Sequence, residues 1–183
     1  MDATHLDLSG ADLSRADLGL ALFCPSSARG VVLREADLYR ANLGWSDLTG
    51  AVLAGACLVK AELTETVLRD ADLTGADLGS ADLWAVDARG ACLAGARLAG
   101  ASLLGGTRLE GADLRGARVE RTSFQVVLDE RTSLQGLHGS VFGPAFVTGP
   151  DGGRELAGSA LESWFTERGA RVEVIASSTD RST

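Results

Sequence analysis

The chain has 183 residues, of which 45% are apolar, so it is long enough to bury the core of one domain. Its 17 Lys and Arg stand against 25 Asp and Glu, and the net charge of −8 argues against a nucleic-acid or anionic-membrane binder of the basic kind. We expect either a basic partner or a charge that only keeps the protein soluble.

The first residues and the cysteines indicate the compartment. Residues 1–6 contain no basic stretch followed by an apolar run, and no segment approaches the roughly eighteen apolar residues of a membrane span. Cys24, Cys57 and Cys92 are odd in number and lack the C-x-x-C spacing of zinc and redox sites, so we expect free thiols. The sequence therefore predicts a cytoplasmic protein without membrane contact.

A five-residue repeat dominates residues 4–137. The triplet Ala-Asp-Leu recurs, and a core position falls on every fifth residue from Leu8 to Leu103, twenty positions of which seventeen are Leu. A period of five fits neither a helix nor a long strand, so each repeat must contain a turn. The frame slips by one residue within 104–106, resumes, and is then broken only at Asp129.

Within one repeat, Ala and Leu are two residues apart and point to the same side of an extended backbone. The polar residue between them points outward, and two residues remain for the turn. The second turn residue is often Gly, as at Gly10, Gly50 and Gly75, which suits a positive φ. Because other repeats place Arg, Glu or Lys there, we expect the turn type to alternate.

A longer period sets the number of sides. The small inward residue before the core position is usually Ala, but every fourth one is not: Leu6, Ser26, Ser46, Thr66, Val86 and, after the slip, Thr107 and Val127. A three-sided coil would not give this period of twenty. We therefore predict an all-β fold, a right-handed, four-sided parallel β-helix of about six coils, with the slip as a one-residue bulge.

Acidic residues concentrate in the N-terminal two thirds of the rod. Residues 1–90 hold fourteen acids and seven bases, whereas residues 91–137 hold five acids and six bases. We predict that Asp17, Asp37 and Asp77 stack on one face, which is the strongest electrostatic candidate for a partner surface. Further candidate aspartates are Asp72 and Asp82. Asp is also the generic outward residue of the repeat, which solvates the rod without any ligand.

Three aromatic residues fall at turn positions. Tyr39, Trp45 and Trp84 are predicted to be exposed, with Trp84 and Leu104 on the same face in consecutive coils. Exposed Trp and Tyr beside apolar neighbours are typical of contact sites, although a docked C-terminal segment could equally cover them.

After Leu134 the repeat stops, and a smaller unit is predicted for residues 138–176. Residues 142–148 and 154–156 have strand character around a Gly-rich turn, and residues 171–175 indicate a last strand. Residues 177–183 are predicted to be disordered.

One short helix is predicted inside this unit, over about residues 160–168. Residues 159–162 form a capping box, and Gly169 ends the helix. Its apolar stripe, Leu161, Trp164 and Phe165, is predicted to cover the end of the β-helix, or alternatively to form a dimer contact.

Catalytic groups are scarce. His5 and His138 lie near opposite ends of the rod, which excludes a histidine-centred triad or a paired-histidine metal site in one subunit. Residues 149–153 lack the spacing of a phosphate-binding loop. We interpret the stacked aspartates as solvated carboxylates rather than a Ca²⁺ or Mg²⁺ site, and predict no enzymatic activity, no cofactor and no metal.

The repeats over residues 4–137 resemble the pentapeptide-repeat family, whose unit is a small residue, Asp or Asn, Leu or Phe, and two variable positions. The best understood members protect DNA gyrase or topoisomerase IV from quinolones or other poisons. They are viewed as mimics of double-stranded DNA and are often dimers joined end to end through their C-termini.

This resemblance implies an acidic binding protein that engages gyrase or topoisomerase IV as a partial DNA mimic and confers resistance or self-immunity to a topoisomerase poison. It implies no direct binding of nucleic acid, and a homodimer through the C-terminus. The mixed strands and helix of the C-terminal unit depart from those relatives. The alternative is a structural scaffold that holds another protein on the surface of Trp45, Trp84 and Leu104.

Overall fold

The computed structural model describes residues 2–150 and 152–175. Single bridging residues, one in every five, pair in parallel with the residue twenty positions further on, from Asp2 with Leu22 to Asp82 with Ser102. The chain therefore winds as a parallel β-helix in which one coil contains twenty residues and four bridging positions.

The bridging residues form four ladders along the rod, each named after one aspartate. The Asp82 ladder contains Asp2, Leu22, Asn42, Glu62, Asp82 and Ser102. The Asp87 ladder contains Asp7, Ser27, Asp47, Val67, Asp87 and Arg108. The Asp72 ladder contains Asp12, Val32, Val52, Asp72, Cys92 and Asp113. The Asp77 ladder contains Asp17, Asp37, Cys57, Asp77, Arg97 and Arg118.

The core consists of the residues on either side of each ladder residue. Ala61 and Leu63, which flank Glu62, are both buried, and the same alternation continues along the rod. An extended backbone places both apolar neighbours inside while the ladder residue faces solvent. Each coil therefore adds one layer of Leu and Ala to a continuous core.

The turns all share one geometry, so the prediction that the turn type alternates is wrong. In the turn from Leu8 to Ala11, Ala11 N–H donates to the carbonyl oxygen of Leu8 at 3.0 Å, and Gly10 has a φ of 70°. Positive φ recurs at every fifth residue from 5 to 100, except at Pro25, which follows a cis peptide bond.

Hydrogen bonds between coils explain this uniformity. The N–H of each positive-φ residue donates to the next coil, as Arg15 does to the carbonyl oxygen of Arg34 at 2.8 Å. Because a different turn would break this bond, Arg, Lys and Glu adopt the left-handed conformation at a cost of about 1 kcal/mol each.

The inward positions that are not Ala include four buried hydroxyl residues: Ser26, Ser46, Thr66 and Thr107. Thr66 Oγ1 donates to the carbonyl oxygen of Leu43 at 2.8 Å, which satisfies the hydroxyl inside the core. Leu6 was predicted to be inward, and this is wrong: it is 45% exposed. It lies in the first coil, which only one neighbouring coil covers.

The bulge predicted within residues 104–106 is present. Strand β1 (Ser102–Arg108) pairs in parallel with strand β2 (Arg118–Asp129), and their register shifts between Leu103 and Thr107.

The inward frame after this bulge differs from the prediction at Val127 and Asp129. Val126 and Leu128 are buried, whereas Val127 is only half-buried. No turn follows Phe124 within β2, so the inward positions alternate from Thr122 to Leu128, after the positive φ of 51° at Arg121.

Four further strands and one helix follow. They are β3 (His138–Phe142), β4 (Ala145–Gly149), β5 (Gly152–Leu156), α1 (Gly158–Glu167) and β6 (Arg171–Ile175). The sheet order is β5-β4-β2-β3-β6, with β1 beside β2. Only β4 and β5 pair antiparallel, so the C-terminal unit extends the sheet of the rod.

Helix α1 covers this sheet with its apolar stripe. The Phe165 ring contacts the Phe124 ring edge-on, with centroids 6.0 Å apart. The predicted capping box is wrong, because α1 begins at Gly158 and Ala157 supplies no side-chain cap. Glu162 instead accepts a hydrogen bond from Val174 N–H at 2.8 Å, which ties the helix to β6.

Gly169, with a φ of 75°, ends this segment as expected. In the described part of the chain, no helix is long and apolar enough to cross a membrane. The predicted disordered tail, residues 177–183, lies outside the described residues.

Candidate functional site

The five aspartates of the predicted partner surface do not share one ladder. Asp17, Asp37 and Asp77 lie in the Asp77 ladder, as expected. Asp72 and Asp82 belong to the ladders on either side of it and lie in the same coil as Asp77. The carboxylates therefore spread around the rod rather than form one charged face.

The Asp77 ladder loses its negative charge part-way along the rod. Asp77 Oδ2 accepts a hydrogen bond from Arg97 Nη2 at 2.7 Å. The next ladder position, in the coil after Arg97, is Arg118. Among the described residues, Asp17 and Asp37 form no ion pair. The acidic part of this ladder is therefore confined to its first two residues.

The ladder aspartates also have a local structural role. Asp37 Oδ1 accepts from Tyr39 N–H at 2.9 Å, and Asp82 Oδ1 accepts from Trp84 N–H at 3.1 Å. This side-chain bond to the backbone two residues on stabilises the start of the turn. Asp in the repeat is thus explained by the fold, and only the second carboxylate oxygen remains for a partner.

Trp45 and Trp84 lie in one stack of turns. Backbone hydrogen bonds join consecutive coils there. Trp45 N–H donates to the Thr64 oxygen at 2.9 Å, and Glu65 N–H donates to the Trp84 oxygen at 2.8 Å. The two indoles are 57% and 44% exposed. We call this row the tryptophan stack: Trp45, Thr64, Glu65, Trp84, Leu104 and Gly105.

The Trp84 ring lies flat over the bulge. A Cβ atom on Gly105 would come within 2.7 Å of the indole, so glycine is what allows the ring to rest there. Leu104, which was predicted to share a face with Trp84, is only half-exposed. One side of the indole therefore lies against the bulge, and the rest of the ring is exposed.

Tyr39 lies in a different stack of turns. Leu20 N–H donates to the Tyr39 carbonyl oxygen at 2.9 Å, and Arg40 N–H donates to the Val59 oxygen at 3.0 Å. We call this row the Leu20 stack: Leu20, Tyr39, Arg40, Val59 and Lys60. Leu20 is 63% exposed, and Leu22, two residues on, is 47% exposed.

The Asp82 ladder runs between these two stacks. Seven large apolar side chains are exposed within residues 2–150 and 152–175, and five of them lie on this ladder or its borders: Leu20, Leu22, Tyr39, Trp45 and Trp84. The ladder itself carries the exposed carboxylates Glu62 and Asp82. Acidic and apolar groups thus share one surface, which we call the Asp82 surface.

Sequence reasoning missed Leu20 and Leu22. The signal was present, because both are large apolar residues at outward positions that most other repeats give to glycine or a polar residue. A search for acidic and aromatic residues alone passes over them.

The comparisons with known proteins agree with this architecture. The family model described as pentapeptide repeats (8 copies) matches residues 21–53, 46–84, 66–105 and 91–125. The chain belongs to the pentapeptide-repeat family. Members of this family fold as right-handed β-helices, so the predicted family and the predicted right-handed β-helix are both confirmed.

Solved structures of other pentapeptide-repeat proteins are similar to this one. HetL of the cyanobacterium Nostoc, involved in heterocyst differentiation regulation, is 24% identical over 96% of this chain and 81% of its own, with a TM-score of 0.45. A protein of the Arabidopsis thaliana thylakoid lumen is 31% identical over 65% and 68%, with a TM-score of 0.32.

A trypsin-treated form of QnrB1, a plasmid-mediated fluoroquinolone resistance protein, is 15% identical over 96% of this chain and 91% of its own, with a TM-score of 0.46. Among curated proteins, none matches the chain.

In this pentapeptide-repeat protein, the predicted dimer or cap residues are used within the chain. Leu161, Trp164 and Phe165 are buried, and the Arg168 guanidinium lies 4.1 Å from the centre of the Trp164 ring. A second copy cannot reach Trp164 or Phe165 while α1 stays docked.

Chemical groups do not converge anywhere in the described residues. No cluster of three or more His, Cys, Asp or Glu is placed to hold a metal ion within 2–150 and 152–175. Cys24, Cys57 and Cys92 are free thiols, each half-buried.

Proposed function

We propose that this pentapeptide-repeat protein is not an enzyme but a binding rod that docks another protein on the Asp82 surface. The observation that carries the proposal is the placement of five of the seven exposed large apolar side chains beside one ladder. Scattered exposed leucines need no explanation, but a set along one side of the rod that includes two tryptophans is typical of a contact site.

Rigidity supports this proposal. Each ladder segment bonds to the coils on both sides: Glu62 N–H donates to the Ala41 oxygen of the preceding coil, and the Ala61 oxygen accepts from Asp82 N–H of the following coil. Side chains on such a frame lose little backbone freedom when a partner binds, which lowers the entropic cost of association.

The partner that we propose is DNA gyrase or topoisomerase IV, bound through partial mimicry of DNA, with resistance or self-immunity to a topoisomerase poison as the result. The family resemblance and the acidic residues 1–90 support this choice. On the Asp82 surface, Glu62 and Asp82 supply negative charge to a basic DNA-binding saddle, and the aromatic borders supply apolar contact area.

Gyrase supercoiling with and without a quinolone tests the partner. We expect the protein, from stoichiometric amounts to tenfold excess, to change supercoiling or to reduce drug-stabilised cleavage. The double variant Trp45→Ser/Trp84→Ser should lose the effect, whereas Arg34→Gln, outside the surface, should keep it. If the wild-type protein changes neither activity, topoisomerase is not the partner.

A structural scaffold for a different protein is the second candidate. It is favoured by the aspartates whose charge is used within the fold, such as Asp77, which pairs with Arg97. Salt separates the two: mimicry by carboxylates should weaken steeply as salt rises, whereas docking on the tryptophan stack should change little.

For the architecture, we infer a four-sided cross-section and about six coils over residues 4–137. The four ladders per coil support this shape. We further propose that residues 138–176 cap the rod, and that any homodimer forms through the outer face of this unit. The cytoplasmic location stays a prediction from the sequence.

A further inference from the structure

The Leu20 stack borders an open groove of about 560 Å³. Its walls are the side chains of Leu20, Leu22, Arg40, Asn42, Lys60 and Glu62. Leu20 is the most exposed of the large apolar side chains of the described residues. The groove thus has an apolar end, at Leu20 and Leu22, and a polar end one to two coils away.

Most basic side chains of the rod are paired within the chain, and the two cations of this groove are among the few that are not. Nine arginines between residues 15 and 131 form ion pairs within the chain, and Arg69 and Arg89 even share Asp87. Across the described residues, neither Arg40 nor Lys60 forms an ion pair.

Glu62, the carboxylate in the groove, has its own partner. Its Oε2 accepts from Asn42 Nδ2 at 2.7 Å, in the same ladder. The Asn42 amide therefore orients Glu62, and the two cations are left for a ligand. With Arg40, Lys60 and Glu62, the lining carries one net positive charge next to two exposed leucines, which is a local reversal of sign in a chain of net charge −8.

We propose that this groove binds an acidic peptide segment of a partner protein, with one apolar side chain seated against Leu20 and Leu22. Guanidinium and ammonium groups bind carboxylates, and the leucines give the apolar side chain a dry surface. The inference rests on the proposed protein-binding function and specifies the chemistry of the segment that the Leu20 stack receives.

Duplex nucleic acid does not fit this groove. The adjoining ladders carry Asp17, Asp37 and Asp82, which would repel the closely spaced phosphates of a duplex on both sides. A short peptide can present its carboxylates only to Arg40 and Lys60 and turn its apolar side chain toward Leu20.

Fluorescence anisotropy with the purified protein tests the proposal. The probe is the labelled, amidated peptide Gly-Asp-Glu-Leu-Phe-Gly-Ser, whose two carboxylates match the two cations, and the comparison peptide has Ser-Ser in place of Leu-Phe. We expect tighter binding of the first peptide. The triple variant Leu20→Gly/Arg40→Gln/Lys60→Gln should raise its dissociation constant about tenfold. Glycine suits the positive φ of 60° at Leu20, so this variant should fold.

Two control variants keep this result separate from the wider function. Arg34→Gln removes a cation in another stack of turns, and Trp45→Ser/Trp84→Ser disables the tryptophan stack; neither should alter peptide binding. If the protein binds the peptide but has no effect in the gyrase assay, topoisomerase is not the partner, and the proposal of peptide binding in the groove is retained.

Three results would overturn the proposal: no binding of the acidic apolar peptide, equal binding of the Ser-Ser peptide, or binding that the triple variant does not weaken. Binding to phosphatidylglycerol vesicles is measured as a further comparison. If they bind through Arg40 and Lys60 while the peptide does not, the groove recognises an anionic lipid surface instead.

Discussion

The regular coils up to Leu103 and the C-terminal unit differ in how often each contact occurs. In the coils, the same turn, ladder bond and Leu layer recur every five residues, so each contact has many equivalents. In the C-terminal unit, contacts such as Phe124 with Phe165 occur once. Stability is therefore distributed along the rod but concentrated at the junction, which places the most sensitive residues there.

The largest effect is expected at the junction, for Gly139→Ala. A Cβ atom at this position would overlap the carbonyl oxygen of Val119, a backbone atom that cannot move without breaking the β2–β3 pairing. We expect a loss of more than about 3 kcal/mol in the free energy of unfolding, measured by urea denaturation.

Gly136→Ala is the matched control for this change. Its φ is also positive, at 77°, but the nearest atom to its Cβ would be 3.5 Å away, so it should cost only about 1 kcal/mol. Equal effects of the two substitutions would contradict the unique role of Gly139.

Next in size is the core variant Leu58→Ala, which tests the regular coils. Leu58 is fully buried, with Leu layers of the coils before and after it, so the cavity cannot collapse. We expect a loss of about 3 kcal/mol in the free energy of unfolding. The same change at Leu8, which is only partly buried in the first coil, should cost less than half as much. A similar loss of stability at both positions would contradict the prediction that a Leu between two layers stabilises the rod more than a Leu in the first coil.

An intermediate effect is expected for Asp87→Asn, through lost ion pairs. Hydrogen bonds from Arg89, and then from Arg69, hold the pKa of Asp87 well below its ordinary value, although partial burial acts in the opposite direction. We expect Asn to cost about 1–2 kcal/mol at pH 7, allowing for the half-exposed Arg69.

The pH dependence gives this prediction its sign. Because folding lowers the pKa of Asp87, its carboxylate stabilises the folded state at pH values above the unfolded pKa of about 3.9. This stabilisation is lost as the pH falls toward the pKa of the folded state. The difference between wild type and Asp87→Asn in urea unfolding should therefore shrink between pH 5 and pH 3. A constant difference would show that the charge of Asp87 does not stabilise the rod.

The smallest effect is expected for Thr66→Val. Val86 already occupies an equivalent inward position and is fully buried, so valine fits without a cavity. The change removes the hydrogen bond from Thr66 Oγ1 to the Leu43 oxygen and should cost about 1 kcal/mol in thermal unfolding. An unchanged melting temperature would mean that the buried hydroxyl contributes nothing.

The same contrast explains what the sequence could predict. The core, the period of twenty and the bulge near Gly105 follow from a pattern that each five-residue unit repeats. The shared turn geometry did not follow, because hydrogen bonds between coils impose it on Arg15 and Lys60 as strictly as on Gly10.

Near the C-terminus, contacts between distant residues replace the local pattern. β2 continues without a turn, so Val126 rather than Val127 faces inward. The helix is tied by Glu162 to Val174, not by a capping box. For the candidate site, the exposed aromatics were predictable residue by residue, but their position around the Asp82 ladder required the fold.

The central claim, that the protein docks its partner on the Asp82 surface, is tested most directly by equilibrium binding of gyrase to three forms of the protein. These are the wild type, Trp45→Ser/Trp84→Ser, and Arg34→Gln as a control away from the surface. The account predicts at least about tenfold weaker binding for the tryptophan variant and unchanged binding for the control. Equal affinity of all three forms would contradict it.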